Sequence, residues 1–143
     1  MDYIIRKLEL EDIPQIMEIY EKITDTKSPD TDELEARMDF GESLLCLGAE
    51  IDNTLIGFIF GNIRRGEFGE EKPVGWIGLI GVDPKFQNEK IGRKLGIELI
   101  QQFIGLGINK IRTTVTNEDT ELLKYFMNLG LSPANWTLLE FST

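Results

Sequence analysis

One stretch constrains this chain more than any other: Val82–Leu95, V-D-P-K-F-Q-N-E-K-I-G-R-K-L. It is entered from the apolar run Trp76–Val82, whose β-forming residues predict a buried strand. Asp83-Pro84 ends that strand, because proline has no N–H to give to a ladder. After a polar loop, a helical period starts at Ile91-Gly92. Ile91, Leu95, Leu99 and Phe103 recur four apart, with Gly96, Ile100 and Ile104 in the adjoining row. The pattern is therefore strand, tight loop, helix N-terminus.

The free N–H groups of a first helical turn carry partial positive charge and suit an anion. A glycine at that place, Gly92, lets a ligand approach the backbone closely. The chain as a whole carries −10, yet this stretch holds Lys85, Lys90, Arg93 and Lys94 against Asp83 and Glu89. A basic island at a helix start predicts a phosphorylated ligand, with an ordinary solvated strand-to-helix connection as the plain alternative.

The stretch resembles the acetyl-CoA signature of the GNAT acetyltransferase superfamily: V-x-P, two residues, Arg or Gln, two residues, Gly, one residue, Gly or Ala. Val82, Pro84, Gln87, Lys90, Ile91 and Gly92 occupy those positions, and Arg93 and Leu95 follow as is common in the family. Lys90 stands where the first glycine is usual, so it must adopt that glycine's conformation or the loop must be rearranged.

The remaining chain follows in a matching order. Tyr3–Leu8 alternates as a strand, and Glu11-Asp12 opens a helix with the apolar stripe Ile13, Ile16, Met17, Tyr20 and Ile23. A short surface helix is expected over about 32–40. Its acids, with Asp30 before it, form a solvated face or a guide for a cation. Ser43–Ile51 and Thr54–Ile63 flank Asp52-Asn53, a strong hairpin signal. Gly57 and Gly61 within the second run predict close packing or a bulge. Past the signature helix come a strand at Asn109–Thr116, parallel to Trp76–Val82 by the crossover rule, a helix at Glu118–Leu129 capped by Gly130, and a last strand at Thr137–Phe141. The resemblance thus covers nearly the whole chain, including I-D-N-T-L-I-G-F and N-L-G-L. It implies an α/β (α+β) fold in a single domain over 1–143. The sheet would be mixed and mostly antiparallel, with about six to seven strands, flanking helices and a splayed parallel pair at its centre.

Composition narrows the chemistry. The chain has no histidine, which removes Ser-His-Asp and Cys-His catalysis and the usual zinc sites, so no metal is expected. Cys46, the only cysteine, lies in the apolar run L-L-C-L and is expected to be a buried thiol. An acidic chain disfavours nucleic acid, and its charge either attracts a cationic partner or only keeps the protein in solution. No run is long and apolar enough for a membrane span and no secretory signal is evident, so the cytoplasm is the expected location.

By the resemblance, the pantetheine arm of acetyl-CoA would run beside Ile80, Gly81 and Val82 as an added strand would. The pyrophosphate would sit on the N–H groups of Gln87, Asn88, Glu89, Lys90, Ile91, Gly92 and Arg93. Asn117 or Asp119 would face the far side of the arm, or simply cap a helix. The implied reaction is attack of a primary amine of a small molecule or peptide on the thioester, with the Val82 N–H as donor to the oxyanion. Where many members have a glutamate base this chain has Trp76, and where they have a tyrosine acid it has Phe126, which can pack on the arm but donates nothing. Tyr125 is adjacent, either as the acid or as a half-exposed packing residue, and Glu70, Glu71 or a water chain would supply the base. An acyl-CoA-binding module without turnover is the alternative, and a homodimer is left open.

Overall fold

A computed structural model describes residues 2–24 and 44–143. Five strands form one sheet in the order β1-β2-β3-β4-β5. They are β1 (Ile4–Lys7), β2 (Leu44–Ile51), β3 (Thr54–Arg64), β4 (Val74–Val82) and β5 (Ile111–Arg112). The first four form an antiparallel meander, and β5 runs parallel to β4. The β2–β3 turn is the expected one. Asp52 and Asn53 both take positive φ, 48° and 65°, which these residue types tolerate and which the twist of a two-residue hairpin requires.

Helices cover both faces. α2 (Ile91–Gly105) buries its predicted stripe Ile91, Leu95, Leu99 and Phe103 completely, against Leu47, Ala49, Ile59 and Ile77 of the sheet. Each such side chain contributes roughly 2 kcal/mol relative to exposure. The adjoining row is less buried, with Ile104 60% exposed. Gly61 lies under this helix: a Cβ there would stand 3.0 Å from both Leu99 and Phe103, so the glycine sets the helix–sheet distance. On the opposite face α1 (Ile13–Ile23) packs Ile13, Ile16 and Ile19 on Leu8, Cys46, Leu55, Phe58 and Phe60. A 3-10 turn, Leu10–Asp12, precedes α1, and Asp12 there is buried. Both Asp12 carboxylate oxygens accept from Arg6 at 2.8 Å, which fixes the helix entry to β1. α3 (Thr120–Asn128) lies against α2 and adds Phe126 to its core.

Three expectations are corrected. The sheet has five strands among the described residues, not six to seven. The expected strand at Asn109–Thr116 contracts to Ile111–Arg112, and the expected strand at Thr137–Phe141 takes no ladder. A strand exists only where an edge pairs with it. Past Arg112 the chain leaves β4, and no β5 edge extends to receive the later segment. Leu138, Leu139 and Phe141 are 85%, 86% and 89% exposed, while Trp136 stacks on Phe68 with centroids 4.1 Å apart. The helix expected near 32–40 and its acids lie outside the described residues.

Candidate active site

The site begins where β4 and β5 part. Their ladder consists of Gly75↔Ile111 and Trp76↔Arg112, followed by a bond from Thr113 Oγ1 to the Ile77 carbonyl at 2.9 Å. Across β3, the register shifts between Ile59↔Ile80 and Gly61↔Ile77. Gly78 and Leu79 therefore oppose Phe60 alone, a bulge that bends β4 away from β5. Beyond it, the Asp83 N–H donates to the Ile56 carbonyl at 2.8 Å. By alternation, Gly81 also faces β3, whereas Ile80 and Val82 turn their N–H and C=O groups into the gap left by β5. The result is a short open strand edge inside the fold.

The signature loop closes one end of this gap. Asp83 Oδ1 accepts from the Lys85 N–H at 3.0 Å and caps a 3-10 helix, Pro84–Glu89. Burial raises the Asp83 carboxyl, but the Lys85 amide and the Lys22 ammonium outweigh it and hold it below its ordinary range. Gln87 Nε2 donates to the Val82 carbonyl at 3.3 Å. Lys90 then adopts the left-handed conformation, φ 60° and ψ 23°, and joins the 3-10 helix to α2. The lysine has taken over the glycine's backbone geometry, at a cost of about 1–2 kcal/mol. Among the described residues no side chain caps α2, so its first N–H groups are open to a ligand or water. The Ile91 side chain is buried in the core, which leaves its backbone as the only part able to meet a ligand. Glu89 and Lys90 are exposed, and exposed Arg93 donates to the Asn128 carbonyl at 3.3 Å.

α3 borders the other side. The Tyr125 hydroxyl donates to the Gly92 carbonyl at 2.7 Å, and burial pushes its pKa well above the ordinary phenol. Phe126 is buried beside it, ring edge to face with centroids 5.0 Å apart. Asp119 caps α3 by accepting from the Leu122 N–H at 3.1 Å, the plain role weighed for it, and Asn117 is exposed in the preceding turn.

The proposed bases fare differently. Glu70 is held by Arg112 at 2.6 and 2.9 Å and by Lys110 at 2.9 Å. These cations depress its pKa to about 2, too weak a base to take a proton from an ammonium. Glu71 is exposed. The Trp76 indole lies under the Arg64 guanidinium at 4.8 Å, and its Nε1 is buried with no acceptor among the described residues. Sequence reasoning missed both the Glu70–Arg112 pair and the 3.0 Å bond between Lys22 Nζ and Asp83 Oδ2. The one hint of the second was an acidic residue, Asp83, at the head of a largely basic stretch.

Residues 11–131 match the family model for the acetyltransferase (GNAT) family. Over 90 residues the chain is 26% identical to a mycothiol acetyltransferase of Thermobispora bispora, covering 63% of this chain and 30% of that protein. The chain thus spans less than a third of the length of that curated relative. Among solved structures, the fold is similar to AAC(6')-Iy in complex with a CoA-S-monomethyl-acetylneamine bisubstrate analogue (TM-score 0.82, 18% identity, 100% of this chain and 99% of that one). It is also similar to a ribosomal-protein-alanine N-acetyltransferase of Brucella melitensis biovar Abortus 2308 (TM-score 0.78, 16% identity, 99% of each chain).

Proposed function

The chain belongs to the acetyltransferase (GNAT) family, and from that premise we propose that it transfers the acetyl group of acetyl-CoA to a primary amine of a small molecule or peptide, as a single domain over 1–143. The observation that carries this reading is the open β4 edge at Ile80 and Val82, placed just before an uncapped helix N-terminus. An amide-bearing arm can bond to the first and a pyrophosphate to the second. The neighbours named above, which include a CoA conjugate and a protein N-acetyltransferase, agree with this in acetyl donor and in amine chemistry.

In this reading Ile80, Gly81 and Val82 align the pantetheine arm, and the N–H groups of residues 87–93 hold the phosphates. Acetyl-CoA is a substrate here. The amine must arrive or become neutral; its nitrogen bonds to the thioester carbon and the C–S bond breaks. The Val82 N–H, facing the gap, is the donor for the oxyanion. One proton leaves the nitrogen and one goes to the thiolate. With Phe126 buried and Glu70 acidified, water is the carrier we assign to both.

The same two observations favour the second reading, an acyl-CoA-binding module without turnover. Thiol release from acetyl-CoA, measured over a panel of amino acids, polyamines, aminoglycosides and peptides, separates the two. Release dependent on one amine class supports transfer. Tight CoA binding with no release above the uncatalysed rate would establish the module instead.

A further inference from the structure

We propose that Lys22 is a positioning residue for the cofactor phosphates: it neutralises Asp83, the carboxylate that caps the phosphate loop, from the opposite layer of the fold. This rests on the acetyl-CoA reading above. Asp83 is 8% exposed and both its oxygens are used. Oδ1 takes the Lys85 N–H at 3.0 Å and Oδ2 takes Lys22 Nζ at 3.0 Å. The cap is needed, because Pro84 starts the 3-10 helix and the next amide has no partner within it. A serine or asparagine would cap as well without charge. The carboxylate instead puts a buried negative charge at the entrance of a site built for anions, where it opposes phosphate binding. Lys22 sits in the last turn of α1, 61 residues away in sequence, and cancels that charge. The same contact joins the cofactor loop to the helix that leads into residues 25–43.

Charge compensation and simple bracing predict different outcomes when both partners are removed. CoA affinity is measured by calorimetry for wild type, Lys22→Met, Asp83→Asn and the double variant, at low and high salt, with thermal melts to verify folding. We expect Lys22→Met to weaken CoA binding by about three- to tenfold at low salt and by less than about twofold at high salt. The double variant should return to within about twofold of wild type, because an uncharged cap needs no counter-ion. Lys22→Arg should bind as wild type and decides the matter if the double variant does not fold. Lys22→Met binding CoA normally, a folded double variant no better than Lys22→Met, or Lys22→Arg as weak as Lys22→Met would each overturn the proposal. A wild-type protein that does not bind CoA would overturn the cofactor reading itself, and this proposal with it.

Discussion

The Tyr125 hydroxyl and the Gly92 carbonyl, 2.7 Å apart, tie α3 to the first turn of α2. A general acid must offer its proton to the leaving group, and this hydroxyl already donates to a backbone oxygen. Tyr125→Phe should therefore cost about 1 kcal/mol of stability, for the lost bond and the carbonyl left behind. It should keep acetyl transfer within about tenfold of wild type, since a placed acid contributes about 10²–10⁴-fold. A loss of a hundredfold or more at unchanged acetyl-CoA affinity would identify Tyr125 as the acid.

Lys90 combines a left-handed backbone with an exposed charge, and two variants separate their effects. Lys90→Gly relieves φ 60° and should raise stability by about 0.5–1 kcal/mol in urea unfolding, after allowing for the glycine's greater unfolded freedom. Lys90→Gln keeps the strain and removes the charge. It should weaken CoA binding more at low than at high salt. Equal affinities for Lys90→Gln and wild type at every ionic strength would leave the lysine no electrostatic role.

The glycines of α2 are not equivalent. A Cβ at Gly96 would stand 2.5 Å from Leu129 Cδ1 and 2.6 Å from the Tyr125 hydroxyl, whereas at Gly92 the nearest contacts are ordinary, 3.5 Å to Val82 and 3.7 Å to Tyr125. Gly96→Ala should destabilise by about 1–3 kcal/mol, while Gly92→Ala should melt near wild type. Gly92→Glu, by contrast, should fold and lose the rise in melting temperature that acetyl-CoA gives.

Stability should respond to pH at the two ends of the scale. Glu70 titrates lower in the folded state, about 2 against an ordinary 4.5, so its contribution is present above pH 4.5 and is lost as pH falls towards 2. Arg112→Gln should flatten that acid limb in urea titrations. Cys46 behaves in the opposite sense: burial pushes its thiol up from 9.0 to about 12, so its contribution is present below pH 9 and is lost above it. At pH 8 a disulfide reagent should label Cys46 only at the rate of native-state opening. Labelling as fast as a free thiol would contradict its burial.

Local signals carried the fold as far as local physics reaches. Asp52-Asn53 announced its hairpin because the turn's φ values depend on the residues within it. The stripe from Ile91 to Phe103 announced α2 because period and burial coincide. The failures involve partners far apart in sequence. Thr137–Phe141 has the composition of a strand, but composition does not supply an edge. Glu70 resembled a free base until Arg112, 42 residues on, was folded against it. At the site, Lys90 was legible as a departure from the glycine pattern, and its left-handed backbone followed from that. Lys22 could not be found in the same way, since nothing near it in sequence points to Asp83.

The chain's two tryptophans sit in unlike surroundings, Trp76 beneath a guanidinium on β4 and Trp136 half-exposed on Phe68. Their emission should therefore be separable without any added dye. In Trp136→Phe the remaining indole stands one residue from the point where β4 and β5 part, with a buried N–H that has no acceptor among the described residues. Its colour and intensity become an optical gauge of whatever enters that gap, while a soluble quencher reports on the other indole in Trp76→Phe.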